Sequence, residues 1–177
     1  MIIETDRLCL RNWQISDWID FRPIATDPEV MRYINGGVPW SDEEIQSFVK
    51  RQVELYEERH YCRWKLTRKG ATEIVGFCGV GFWQNAPEVG WWLARPFWGR
   101  GLATEAARAA LQDAYQRTDL DRIISVARPA NIASIRIMEK LGLVKASEFL
   151  NDGVPLLKYE ITRAMFFSQP RNLGVSP

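Results

Sequence analysis

A chain of 177 residues with 46% hydrophobic and 25% charged side chains can bury a core without disulfides or metal, and its composition is neither disordered nor membrane-embedded. Its 23 basic residues against 22 acidic ones leave a net charge of +1, which supplies no general field for nucleic acid or an anionic membrane. Cys9, Cys62 and Cys78 are odd in number and widely spaced, unlike zinc ligands or a disulfide framework, which points to a reducing cytoplasm and no metal.

Glu4 and Asp6 interrupt the N-terminus, so no ordinary signal peptide is expected, and residues 74–83, the longest weakly polar run, are too short and glycine-broken to span a bilayer. Residues 7–12 alternate apolar and polar side chains as a half-buried strand does, and Ser16 offers an N-cap to a helix from Asp17. Asp27 followed by Pro28 predicts a second, short helix ending at Asn35-Gly36-Gly37. Ser41 and Glu44 have capping-box spacing ahead of Ile45, Phe48, Val49, Val53 and Tyr56, which share one helical face, so a third helix runs to about Arg59.

Residues 61–68, 74–82 and 88–93 read as an antiparallel meander, broken at Lys69-Gly70 and Asn85-Ala86-Pro87. A helix over 102–117 presents a broad face of small side chains, including Ala103, Ala106, Ala107, Ala110 and Ala114, able to lie close against a sheet. A strand at 122–127, a helix at 132–141 stopped by Gly142, and strands at 143–150 and 154–162 complete the order. The expectation is a single mixed α/β domain over residues 1–167, followed by a loose tail over 168–177.

The chemistry is concentrated in Arg95-Pro96-Phe97-Trp98-Gly99-Arg100-Gly101-Leu102-Ala103-Thr104. Gly99 and Gly101 remove side chains at a helix start whose amides and dipole suit a pyrophosphate, and Arg100 adds a charge. A nucleoside-triphosphatase loop would need Gly-Lys followed by Ser or Thr, whereas Gly101 is followed by Leu102. A dinucleotide fingerprint would need a third glycine within a parallel unit.

Trp98 to Ala103 resembles the coenzyme A loop of the GNAT N-acetyltransferases, matching its pattern of Gln or Arg, two residues, Gly, one residue, then Gly or Ala at all but the first position. Residues 131–143 look like the second coenzyme-contacting helix of that superfamily. With Ala86-Pro87-Glu88-Val89-Gly90-Trp91-Trp92-Leu93 they resemble the RimJ/RimL-like branch, whose named members acetylate N-termini of ribosomal proteins. The likeness extends from Glu4 to Arg163 and implies a largely antiparallel GNAT sheet of about seven strands, splayed where acetyl-coenzyme A binds.

By position, the resemblance gives the pyrophosphate to Gly99, Arg100, Gly101, Leu102, Ala103 and Thr104, and the pantetheine amides to the main chain of Trp92, Leu93 and Ala94. Asn131 either contacts the pantetheine arm, caps its helix or does both, and Ser134 lies one turn on along the same face. Many relatives protonate the departing thiolate with a tyrosine seven residues after the asparagine; here that residue is Met138, leaving Ser134 as the candidate acid and Tyr159 as a more distant one. An α-amine with pKa near ~8 is partly neutral at cell pH, whereas a lysine near ~10.4 needs more help. Glu88 is the candidate base, acting through water, with a structural role at the strand start as the alternative. Glu105 reads as a dipole complement, and His60 as a residue near a solvated helix end. Trp40 and Trp83 are candidate walls of an acceptor pocket, with Glu148 and Asp152 as possible attractors for a cation.

The implied enzyme binds acetyl-CoA without metal and transfers acetyl directly to a primary amine, either a protein N-terminus or a small molecule, as a monomer or homodimer. The alternative is a non-catalytic acyl-CoA sensor of the same fold, which Met138 keeps open.

Overall fold

The computed structural model describes residues 2–169. Along the chain lie β1 (Ile2–Glu4), β2 (Leu8–Arg11), α1 (Trp18–Ala25), α2 (Pro28–Met31), α3 (Asp42–Arg59), β3 (Arg63–Arg68), β4 (Ile74–Trp83) and β5 (Ala86–Leu93). They are followed by α4 (Leu102–Arg117), β6 (Arg122–Ala127), α5 (Ile132–Lys140), β7 (Val144–Asn151), β8 (Val154–Thr162) and α6 (Arg163–Ser168). The strands form one sheet in the order β1-β2-β3-β4-β5-β6-β8-β7, with every pairing antiparallel except β5 with β6. The mixed, largely antiparallel sheet thus has eight strands rather than about seven. The extra strand, β1, is three residues at an edge, too short to show a period of its own.

Local chemistry accounts for most element boundaries. Asp27 accepts from Glu29 N–H at the start of α2, and the Ser41 and Glu44 capping box opens α3 as expected. At α1 the expectation fails. Ser16 does not cap; residues 15–17 form a 3-10 turn in which Gln14 N–H donates to the Asp17 carboxylate at 2.6 Å. Asp17 also holds Lys65 at 2.6 Å beneath the sheet. The β4–β5 turn is Gln84-Asn85, both at positive φ as a tight two-residue hairpin requires, so Ala86 and Pro87 belong to the strand.

Ser168, placed by sequence at the head of a loose tail, ends α6, and Gln169 donates to Leu141 O at 2.8 Å. The remaining tail, residues 170–177, lies outside the described residues. No helix among the described residues is long and apolar enough to cross a membrane.

Two layers cover the sheet. On one face α4 presses Ala106, Ala107, Ala110 and Ala114 into the main core beside Val75, Cys78, Val89 and Leu93. On the other, α1 and α3 enclose an aromatic cluster of Trp13, Phe21, Phe48, Phe77, Trp40 and Trp92. Small side chains let α4 sit close to the strands, where dispersion and burial both depend on the short separation. Ala110→Leu is expected to lower the unfolding free energy in urea by about 1–3 kcal/mol. Gln116→Leu, on the exposed side of the same helix, is expected to stay within about 0.5 kcal/mol.

Candidate functional site

The site begins where two parallel strands stop pairing. β5 and β6 share a single register pair, Glu88 opposite Ile124, and beyond it the ladder is open. Buried Ser125 ties the vertex by donating to Val89 O at 2.9 Å. The antiparallel ladder with β4 continues past the end of β5, where Ala94 N–H donates to Val75 O. Alternation along that ladder turns Gly90, Trp92 and Ala94 toward β4, and Val89, Trp91 and Leu93 toward the gap. The open main-chain groups therefore belong to Trp91 and to the N–H of Leu93, since the Leu93 carbonyl accepts from Trp98 Nε1 at 2.6 Å. Of the segment singled out from sequence, Trp92 and Leu93 line the cavity beside the gap, but only Leu93 turns its main chain toward it; Trp92 faces β4, and Ala94 has its N–H on Val75 and its carbonyl on Phe97 N–H. Trp91 was missed because its role depends on which neighbour each residue faces.

Below the gap the chain turns through residues 95–97 into the glycine loop. Gly99 and Gly101 sit at φ +70° and +75°, a left-handed backbone that a side chain would strain. No side chain caps α4, so its first-turn amides have no helical carbonyl to receive them. Gly99, Gly101, Leu102, Ala103 and Thr104 line a cavity of about 400 Å³, and Arg136 and Lys140 of α5, with Arg32, add cationic side chains to its wall. Arg136 and Lys140 lie four residues apart on one helical face, a pattern legible in the sequence but not used.

Arg100 is not among the residues that line this cavity, and its carbonyl accepts from Arg7 Nη1 at 2.9 Å. Arg7 in turn grips Glu105, with Nη2 to Oε2 at 2.6 Å, while Thr5 Oγ1 and Arg7 N–H bond Oε1 at 2.5 and 2.9 Å. Glu105 is therefore more than a dipole complement: it anchors the loop to the N-terminal strands, and Arg7 neutralises it beside an anion cradle. Burial works to raise its carboxyl, but the bonds from Thr5 and Arg7 outweigh that and hold it below the ordinary value of 4.5.

A second cavity, about 660 Å³, opens on the α3 face of the same gap. Tyr33, Ile34, Trp91, Trp92, Asn131 and Ser134 line both cavities, so the two meet at these residues. Asn131 caps α5, its Oδ1 accepting from Ser134 N–H at 3.2 Å, and this sets the rotation of the first turn that carries Ser134. Met138, one turn further, lies on the wall of the larger cavity and is nearly fully buried.

Glu88 faces this larger cavity at the vertex, bonded to Arg63 Nη2 and to Val126 N–H. Burial pushes its carboxyl above the usual glutamate range, against the pull of Arg63 and of the Val126 amide. Both candidate walls, Trp40 and Trp83, line the larger cavity. Other expectations fall elsewhere. Glu148 pairs with Lys145, Asp152 accepts from Asn151, Tyr159 is in the core and His60 ends α3, and none of the four lines either cavity. Among the described residues no group of three or more His, Cys, Asp or Glu could hold a metal ion.

Because Glu105 titrates lower when folded than when unfolded, its contribution to stability is complete above about pH 4.5 and is lost as pH falls through the depressed folded value. Urea unfolding across that acid range is expected to show a shallower loss of stability for Glu105→Gln than for the unaltered chain.

The model of the acetyltransferase (GNAT) domain matches residues 7–144. The uncharacterized N-acetyltransferase YnaD of Bacillus subtilis (strain 168) is 29% identical over 151 residues, covering 84% of this chain and 86% of that protein. A GNAT-family acetyltransferase structure from Bacillus anthracis superposes with TM-score 0.79 at 26% identity, covering 92% of this chain and 98% of that one. RimL, the ribosomal L7/L12 alpha-N-protein acetyltransferase in complex with coenzyme A, shares the fold at TM-score 0.76 and 17% identity, over 92% of this chain and 98% of its own. With the parted strands, the uncapped glycine loop and a family match over most of its length, the chain belongs to the GNAT acetyltransferase family.

Proposed function

We propose that the protein is an N-acetyltransferase that moves the acetyl group of acetyl-CoA directly to a primary amine while both substrates are bound. The observation that carries this reading is the junction of two cavities at Asn131 and Ser134, one bordered by the glycine loop and the other by Glu88. The residues suit the cosubstrate. Uncapped amides of α4 with Arg136 and Lys140 complement a diphosphate, and the open groups of Trp91 and Leu93 complement the amides of an extended pantetheine arm. Bound there, acetyl-CoA supplies an activated thioester.

In transfer a bond forms from the amine nitrogen to the acetyl carbon, and the carbon–sulfur bond breaks. The amine's proton leaves toward Glu88, whose raised carboxyl accepts it, through water, nearer to neutral pH than an ordinary glutamate would. Ser134 relays a proton to the departing sulfur, its hydroxyl regaining one from water in the same step, a role the buried thioether of Met138 cannot fill. Arg63 keeps Glu88 oriented and pulls its carboxyl toward the ionised form against the effect of burial. An acceptor at a protein N-terminus draws support from the likeness to RimL, an alpha-N-protein acetyltransferase, and from the lower pKa of an α-amine.

Calorimetry with acetyl-CoA, followed by thiol release over a panel of peptide N-termini and small amines, tests this reading. Ser134→Ala and Glu88→Gln are each expected to lower turnover about 10²-fold or more, with acetyl-CoA affinity within about twofold of the original. The low-pH limb of the pH–rate profile, set in the parent by a group titrating above the ordinary glutamate range, is expected to vanish in Glu88→Gln. Arg7→Ala is expected to weaken acetyl-CoA about tenfold while kcat at saturation holds, with Arg7→Lys recovering only part of the loss because it cannot form the same fork. Acetyl-CoA bound but consumed with no amine would favour the sensor, and no binding at all would remove both readings.

A further inference from the structure

The larger cavity is aromatic, and its unmet polar groups are predominantly donors. Its carboxylates are mostly engaged: Glu88 by Arg63 and the Val126 amide, and Glu44 by Ser41 N–H at 2.7 Å. Gln52 Oε1 is held by Arg63 N–H at 3.0 Å. Glu43 is the remaining acid, exposed in the first turn of α3, where its charge complements the helix amides.

The donors are not balanced in this way. Arg63 lies over Gly81 and Gly90; a Cβ at Gly81 would come within 3.0 Å of its Cζ, and one at Gly90 within 3.4 Å of its Nε. Those two glycines are the bed of a guanidinium whose Nη2 serves Glu88 and whose Nε is buried with no partner. Arg51, two turns along α3 from Glu43, and Arg128, just after β6, line the same cavity. Neither side chain makes an ion pair or hydrogen bond among the described residues.

A simple polyamine brings further cations and donors, which would meet Arg63, already paired with Glu88, and leave Arg51 and Arg128 unpaired. An acceptor with its own oxyanion meets that demand, because a guanidinium fork and a carboxylate or phosphate form short, charge-assisted bonds. We propose that the amine acceptor carries an oxyanion, a carboxylate or phosphate, which Arg51 and Arg128 select. The proposal rests on the acetyltransferase reading and names the substrate class of its second cavity.

Matched amines test it: N-terminal aspartyl against asparaginyl and glutamyl against glutaminyl dipeptide amides, and O-phosphoserine amide against serine amide, each followed by acetyl-CoA-dependent thiol release. Oxyanion members are expected to exceed their neutral partners about tenfold or more in kcat/KM, with the preference shrinking as salt rises. The carboxylate and phosphate arms rank the two anions. The double variant Arg51→Gln/Arg128→Gln is expected to bring the ratio close to one while acetyl-CoA affinity, read by calorimetry, is retained. Neutral or polycationic amines preferred, or a preference that survives the double variant, would overturn the proposal. If acetyl-CoA binds and none of these amines is consumed, calorimetry of the same pairs against the enzyme–coenzyme A complex decides: tighter binding of oxyanion members supports the proposal, and its absence overturns it. Failure of acetyl-CoA itself to bind is a separate result, which removes the parent reading.

Discussion

Every functional feature of this protein depends on β5 and β6 pairing at one point and then separating. Parallel strands ordinarily satisfy each other's main-chain groups along their length, and an open ladder leaves donors and acceptors that must find partners elsewhere. Here the vertex is fastened by Ser125 on Val89 and by Glu88 on Val126. Past it the exposed edge of β5 offers an extended ligand the hydrogen bonds a strand would have made. The same parting opens one cavity toward the glycine loop and another toward α3, and the two meet at Asn131 and Ser134.

Two ion pairs flank that opening and do different things. Arg7 with Glu105 lies outside the cofactor cavity's lining and joins the N-terminal strands to α4, so the loop amides are held in place before any ligand arrives and Glu105 presents little net charge to an incoming anion. Arg63 with Glu88 lies in the larger cavity, over glycines that make room for it. There burial and charge oppose each other, leaving a carboxyl easier to protonate than a surface glutamate yet still well bonded. Preorganisation of the first kind suits anion binding, and tuning of the second kind is what the proposed proton transfer would need.

Ser134 shows how a helix start can serve both ends. Asn131 is a cap in the ordinary sense, and by accepting from Ser134 N–H it fixes the first turn of α5 at the meeting point of the cavities. The two readings of Asn131 from sequence are compatible because the cap occupies Oδ1 and leaves the amide nitrogen free to donate.

The elements with strong local signals were legible in the sequence: the capping box before α3, the alanine face of α4, the strands of the meander and the glycine loop at a helix start. These depend on interactions within a few residues, so their spacing carries them. β1 and α6 escaped notice because a three-residue edge strand and a six-residue helix are held by what they pack against. The pairing of Arg7 with Glu105 and of Arg63 with Glu88, the turning of Trp91 rather than Ala94 toward the gap, and the convergence of Arg51, Arg63 and Arg128 on one cavity were decided only by tertiary structure. Each of these joins residues from separate elements or depends on strand register, and no local periodicity encodes which strand lies next to which. Sequence alone thus determined the glycine loop and the family it resembles; the folded sheet decided which residues meet at the second cavity and which charges line it.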